Sequence, residues 1–343
     1  MTKTINVGII GAGGIAAGKH LPGHRNVQDV SVIAVCDIDE PRAHEFANQH
    51  EIEHVFTDYN DMLAMDDIDA VSVCTPSNFH TPPTIAALEA GKHVICEKPM
   101  ASNAVDGQTM VDAYHASDKI LQIGLQNRFS VESRTLRKLC DEGFFGDIYY
   151  ARAMSVRRRG VPGTPSFITK SIAGGGALID IGVHILDALL WVLGCPKPVE
   201  AFGFTAQKFG NQRDVINPWG NWDPAQFEVE DFAMGVVNFE GGLTVALETA
   251  WATHIENIGT TFFIGDRAGA THSPLRIYMD KDGEMIDYEP EPLTNLIGEF
   301  ESFHQAIREG LPSPVPPEET LIITKIFDAM YESARIGRSV PVE

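Results

Sequence analysis

Within the run GGGALIDIGVHILD, residues 174–187, an aspartate and a histidine stand four positions apart in an otherwise apolar segment of helix length. Asp180 and His184, at i and i+4, project from one helix face, so that face must meet something polar. An imidazole, whose unperturbed pKa lies near neutrality, can take a hydroxyl proton while the carbon-bound hydrogen leaves as hydride. A carboxylate one turn away can orient that imidazole or grip a neighbouring hydroxyl. The same pair could hold a divalent metal, but a catalytic zinc takes three protein ligands and the spacing offers no third, so no metal is expected. A lone histidine on an apolar face is more often a packed core residue, and a catalytic His184 therefore depends on other motifs. Lys98, in HVICEKPM, follows a strand-like run and precedes a proline, where a fixed positive charge can stabilise a developing alkoxide. Asp187 continues the stripe, but the helix has risen about 10 Å by then, and it is read as structural.

A hydride needs an acceptor, and the N-terminal run NVGIIGAGGIAAGKH supplies the turn for one. An apolar strand leads into Gly11, Gly13 and Ala16, spaced G-x-G-x-x-A ahead of a helix pattern. The first glycine allows a tight turn, the second lets a pyrophosphate approach the backbone, and the small third residue lets helix and strand pack closely. Gly14 and Ile15 complete the turn, and the helix amides beyond it aim at the phosphates. SVIAVCD then ends at Asp37, whose carboxylate accepts from ribose hydroxyls and repels a 2′-phosphate. NAD is expected over NADP, with Arg42 near enough in sequence to soften the preference. The loop CTPSNFH, residues 74–80, follows the fourth strand at the ligand end of the sheet. Thr75 and Pro76 are assigned to the turn beside the ribose-nicotinamide half, while Asn78 and His80 either contact ribose or cap the next helix. Glu97 serves the cofactor or a lysine rather than the chemistry.

The elements that hold these residues follow from hydrophobic rhythm. Residues 1–124 alternate short continuous apolar runs with helix-length segments, the pattern of βαβ units and a doubly wound parallel sheet covered on both faces. From about 125 the pattern changes to an amphipathic helix (129–142), the apolar helix around Asp180, and strand-like runs with partial alternation. Residues 125–343 are expected to form an α+β domain with a large open antiparallel sheet, closed by helices near 292–309 and 317–336. A length of 343 residues accommodates two such domains. The net charge of -21 repels phosphate backbones and anionic lipid surfaces, so neither nucleic acid nor membrane is an expected partner. Cys36, Cys74, Cys96, Cys140 and Cys195 form no CxxC pair and read as core thiols in a reducing compartment. The N-terminal run lacks a strongly basic start, and a cytoplasmic location is expected.

Taken together, GIIGAGGIA, CTPSNFH, EKP (Glu97, Lys98, Pro99) and GGGALIDIGVHILD, in this order, resemble the Gfo/Idh/MocA family of sugar and polyol dehydrogenases over almost the whole chain. The resemblance implies a Rossmann domain followed by an open-faced antiparallel sheet domain, with substrate held between that sheet and the nicotinamide. It maps Lys98 to the family's active-site lysine, Asp180 to its substrate-binding aspartate and His184 to its catalytic histidine. It implies a homo-oligomer, dimer or tetramer, built through the sheet. The activity implied is NAD-dependent oxidation of a secondary alcohol of a sugar, cyclic polyol or glycoside. Some relatives instead retain NAD and cleave glycosidic bonds through transient oxidation, and a few have become sugar or dinucleotide sensors. The presence of Lys98, Asp180 and His184 argues against a sensor.

Softer substrate candidates remain. Gln126 and Arg128 follow the sixth strand, and RRRG, residues 157–160, ends a strand before a glycine loop. Alternation sends Arg157 and Arg159 to one face and Arg158 to the other, so Arg157 is taken as the substrate-facing member. The weakly periodic segment 208–231 carries Trp219 and Trp222, whose flat faces suit a sugar ring or a subunit contact.

Overall fold

Continuous apolar runs become strands buried on both faces in the first part of the computed structural model, which describes residues 3–343. In chain order they are β1 (Ile5–Ile10), a π turn (Ala16–His20) running into α1 (Leu21–Arg25), β2 (Val30–Cys36), α2 (Glu40–His50), β3 (His54–Phe56), α3 (Tyr59–Leu63), β4 (Ala70–Val73), α4 (Thr81–Glu89), β5 (His93–Cys96), α5 (Ala104–Ala116) and β6 (Leu121–Ile123). The strands lie parallel in the order β3-β2-β1-β4-β5-β6. That is the order of a dinucleotide-binding sheet, reversing direction between β1 and β4. Val7, Ile9, Val35, Val71, Val73 and Ile95 are fully buried, each contributing roughly 1.5–3 kcal/mol of hydrophobic stabilisation. The helices start where side chains cap them: Asp39 accepts from the Arg42 amide, and Asn103 from the Asp106 amide.

The second part begins with a 3-10 turn (Gln126–Phe129) and continues as α6 (Val131–Asp141), β7 (Ile148–Val156), α7 (Pro165–Ile168), α8 (Lys170–Ala173), a π turn (Leu178–Gly182), α9 (Val183–Val192), β8 (Pro198–Ala206), β9 (Phe232–Phe239), β10 (Thr244–Ala250), β11 (Ile258–Gly265), β12 (Ala268–Thr271), β13 (Arg276–Lys281) and β14 (Glu284–Tyr288). The sheet order is β14-β13-β12-β11-β7-β10-β9-β8, with β15 (Val340–Pro341) on the outer edge of β8. It is mixed rather than wholly antiparallel, because β7 and β10 run parallel. The helices and two strands intervening between them give the crossover a parallel pair requires. Along β9 alternate residues Ala233, Gly235, Val237 and Phe239 are buried, so one face packs and the other does not.

α10 (Glu299–Glu309) starts later than the expected 292, after Asn295 with positive φ and the extended Gly298. It joins the first unit, which comprises the described residues up to Gly124 together with Ile297–Leu321; the second comprises Leu125–Leu296 and Ile322–Glu343. Phe300, Phe303 and Ala306 enter the same core cluster as Val7, Ile9 and Val35. The division falls within α11 (Pro317–Ile336). In the second unit, Gly203 and Gly235 lie where any Cβ would overlap Met330 of α11, so the sheet needs glycine there to seat that helix. Among the described residues, Lys170–Val192 is long and apolar enough to cross a membrane by length and composition alone, and 78% of its apolar 18-residue stretch is buried as in a core helix.

Candidate active site

In the first unit the turn after β1 has the form a dinucleotide needs. Gly11 has φ +98, and a Cβ there would lie 2.7 Å from the Cys74 carbonyl oxygen. At Gly13 and Gly14 a Cβ would meet nothing within 4 Å, so the turn offers bare backbone to a pyrophosphate. Ala16 is fully buried, and Ile15 is half-exposed on the turn. Asp37 accepts from the amides of Ala12 and Asp39, each at 2.9 Å, which fixes its carboxylate at the end of β2 with lone pairs left for ribose hydroxyls. The residues present fit a dinucleotide. Arg42 stands 3.4 Å from Asp37 and 3.0 Å from Asp39.

The loop after β4 corrects part of the sequence reading. Thr75 donates its hydroxyl to the Phe79 carbonyl at 2.9 Å, Pro76 is exposed, and Asn78 is half-buried in a 3-10 turn. His80 is buried, with Nδ1 2.7 Å from the Pro99 carbonyl and Nε2 2.8 Å from the Thr75 carbonyl. The ring is wedged between two backbone carbonyls, and since burial lowers its pKa the neutral imidazole donates its one N–H to one of them, so His80 ties the loop to the turn carrying Lys98 instead of contacting ribose. The shape of that turn, not its sequence, decides this.

Glu97 is buried and accepts from Lys19 Nζ at 2.7 Å, His20 Nε2 at 2.9 Å and the Lys98 amide at 3.2 Å. Burial alone would raise its carboxyl, but the His20 hydrogen bond and the Lys19 charge outweigh burial and hold it well below the usual range. Lys19 also pairs with Glu299 at 3.3 Å. Glu97 thus holds lysine contacts, as its sequence position suggests, while Lys19, His20 and Glu299 carry no sequence signal of their own. Beyond Glu97 the hydrogen bonds continue inward. His20 Nδ1 lies 2.9 Å from Ser72 Oγ, His24 Nε2 2.6 Å from the same oxygen, and His24 Nδ1 2.8 Å from His304 Nε2. Burial lowers the pKa of all three histidines, and with each ring neutral one ordering satisfies the chain: each histidine donates from Nε2, and the Ser72 hydroxyl donates to His20.

In the second unit Asp180 sits in the π turn and His184 in the first turn of α9. Such π turns inside helices are frequent at functional sites. Asp180 Oδ2 accepts from the indole Nε1–H of the fully buried Trp251 at 2.9 Å. Arg157 donates its amide to the Ala250 carbonyl at 3.0 Å, immediately before Trp251. Burial lowers the Arg157 pKa, and the Asp180 charge opposes that shift. Asn127 reaches the His184 carbonyl at 3.4 Å, and Gln126 is exposed beside it in sequence.

Arg128 does not line a substrate site. It is 2% exposed, with Nε 2.9 Å and Nη2 2.6 Å from the two oxygens of Asp187. A buried guanidinium must be paired, and this bidentate contact confirms the structural reading of Asp187. β7 ends at Val156, so strand alternation stops before the arginines. Arg157 lies over the Trp219 ring, Arg159 lies over the Phe209 ring and donates to the Thr253 carbonyl, and the Arg158 amide donates to Asn257.

The glycine run before Asp180 is shaped by Glu230, which the sequence gives no reason to single out. Its carboxylate accepts from the Gly176 and Leu178 amides at 3.0 Å and from the Tyr331 hydroxyl at 2.9 Å. Burial raises its pKa against those hydrogen bonds. A Cβ on Gly176 would overlap the Glu230 carbonyl oxygen, so the run needs glycine for space.

Residues 5–125 match the family described as "Oxidoreductase family, NAD-binding Rossmann fold", and residues 133–271 match "GFO/IDH/MocA C-terminal domain". The chain is 37% identical to a D-glucoside 3-dehydrogenase of Escherichia coli K12 over 99% of this chain and 98% of that protein. An oxidoreductase domain protein from Kribbella flavida shares the fold with a TM-score of 0.84 at 23% identity, covering 100% of both chains. A levoglucosan dehydrogenase solved with NADH and L-sorbose shares it with a TM-score of 0.83 at 23% identity, again over 100% of both chains.

Proposed function

Because the chain belongs to the Gfo/Idh/MocA family of NAD(P)-dependent oxidoreductases acting on CH–OH groups of sugars and polyols, we propose that it oxidises a secondary alcohol of a glycoside, or of a related sugar or cyclic polyol, with NAD as acceptor. The observation that carries the substrate class is the full-length likeness, at 37% identity, to a D-glucoside 3-dehydrogenase. The bare turn at Gly13 and Gly14 and the oriented Asp37 carboxylate support the cofactor.

NAD, held by the turn at Gly11–Ile15 and by Asp37, would supply the hydride acceptor for the hydrogen lost from the carbinol carbon. His184 takes the hydroxyl proton, so the C–O bond becomes a carbonyl as the C–H and O–H bonds break. Lys98 stabilises the developing alkoxide with fixed positive charge. Asp180, fixed by Trp251, grips a substrate hydroxyl and orients the ring. The proton on His184 then passes to solvent. Asp37 and the turn at Gly11–Ile15 would hold the adenosine and pyrophosphate, and Thr75, Pro76 and Asn78 would stand beside the nicotinamide ribose. Assembly into a homo-oligomer through the sheet face carrying exposed Phe202, Phe204 and Tyr278 belongs to the same reading, as does a cytoplasmic location, supported by the buried thiols of Cys36, Cys74 and Cys96.

The test is incubation with NAD and, separately, NADP across glycosides, inositols, free aldoses and anhydrosugars, following nicotinamide absorbance. Reduction with a glycoside, abolished in Lys98→Ala and His184→Ala, is the expected result. Activity within a few-fold of the parent in those variants overturns the roles assigned. No net reduction, with NAD released on denaturation, points to redox-assisted glycoside cleavage instead.

A further inference from the structure

Trp219 and Trp222 stand three residues apart and have opposite fates. Trp222 is partly buried, packs against the cluster of Phe209, Phe227 and Trp251, and donates its indole N–H to the Gly210 carbonyl at 2.8 Å. Trp219 is 56% exposed, although it is not on a free-swinging loop. Asn217, two residues before it, accepts from the Val161 amide at 3.1 Å and donates to the Val161 carbonyl at 2.9 Å and the Gly220 carbonyl at 2.7 Å. The loop is therefore clipped to the segment that follows β7. A Cβ on Gly160 would come within 3.0 Å of the Arg157 side chain and into ordinary contact, 3.6 Å, with the indole edge, so Gly160 lies beside the stacked pair.

The Arg157 guanidinium lies over one face of the Trp219 ring, 4.8 Å from its centroid, a contact that favours one orientation of an indole that is 56% exposed. Arg157 hydrogen-bonds Ala250, and the next residue, Trp251, holds Asp180. A half-exposed indole thus leans on the arginine whose amide bonds the residue just before the tryptophan that holds Asp180. Ala177 and Ile181, on either side of Asp180 in sequence, share one core cluster with Val161 and, at its edge, Trp222.

We propose that Trp219, backed by Arg157, is a stacking platform for the second ring of a glycoside, a sugar or aryl aglycone, whose first ring is gripped at Asp180. The proposal rests on the glycoside reading given above. A ring presents an apolar C–H or π face that matches an indole, and a plate held in advance by a guanidinium and a clipped loop loses little conformational entropy on binding. Substrates with one ring leave it uncovered, so the platform is a specificity device for two-ring glycosides.

The experiment compares methyl β-D-glucoside with phenyl β-D-glucoside and cellobiose, using NAD, in the parent, Trp219→Ala and Trp219→Phe. The ratio of kcat/KM for the two-ring substrates to that for the methyl glucoside should fall about tenfold in Trp219→Ala, through KM, and be largely restored in Trp219→Phe. A ratio unchanged within twofold overturns the proposal. So does a change in assembly mass by sedimentation in Trp219→Ala with no change in ratio, which would make Trp219 a contact between copies. If the parent oxidises none of the three, the glycoside reading fails on its own. Calorimetric binding of phenyl β-D-glucoside then decides the platform: loss of heat in Trp219→Ala sustains it, and identical titrations, or none in the parent, overturn it.

Discussion

Trp251 donates its indole N–H to Asp180 Oδ2 at 2.9 Å from a position with no solvent exposure. A hydrogen bond to a charged group contributes about 1.5–3 kcal/mol, and here it fixes the direction of a carboxylate that sits in a π turn. Trp251→Phe keeps most of the packing and removes the donor. Turnover, kcat/KM, should fall roughly tenfold or more, while the melting temperature moves by only a few degrees. Steady-state kinetics beside a thermal melt separates the two effects.

Asp37 is held by two backbone amides before any ligand arrives. Asp37→Ala should raise KM for NAD by about ten- to a hundredfold and narrow the gap to NADP, because Arg42 then faces a 2′-phosphate without a competing carboxylate. Parallel titrations with the two cofactors measure the switch.

The Arg128–Asp187 pair is buried on both sides. Removing one partner strands the other, so Arg128→Met should cost about 3–5 kcal/mol of stability. Arg128→Met combined with Asp187→Leu should recover most of that loss. A denaturant melt of the single and double variants reads the difference, and equal losses in both would show that packing rather than charge matters there.

The histidine chain gives the fold a pH limit. Burial pushes His304 down to about 4, aided by the Arg308 charge, and holds His24 well below its usual value. Each is depressed on folding, so between the unfolded value near 6.5 and the folded one the unfolded chain binds more protons. Stability is therefore full above about pH 6.5 and falls as pH drops toward 4, by as much as about 3 kcal/mol for His304 alone. Melting temperatures at pH 7.5 and 5 should differ accordingly, and His304→Leu should flatten the slope.

Much of this was legible because it is local. The turn at Gly11 and Gly13 and the Asp37 carboxylate at the end of β2 depend on neighbours in sequence, and spacing alone announces them. Where partners are distant, spacing is silent. Arg128 reads as a substrate contact until Asp187 is folded onto it, and His80 reads as a ribose contact or helix cap until Pro99 turns back over it. The parallel seam between β7 and β10 has no signature either, since a strand's pattern records which face is buried and not which way its neighbour runs. Trp251 and Glu230 act through the positions of Asp180 and Gly176, so nothing in their own surroundings in sequence marks them.

The return of Ile297–Leu321 into the first unit bears on how the protein is made. A chain emerging from the ribosome at about 5–20 residues per second offers the parallel sheet early, but Phe303 and His304 come only after β7 to β14 of the second sheet have been synthesised. Until then His24 lacks its hydrogen-bond partner and the core cluster lacks Phe300 and Phe303. Vectorial, N-terminus-first folding cannot complete this unit. A nascent chain stalled at Gly124 should remain protease-sensitive, and become resistant only once α10 has cleared the exit tunnel.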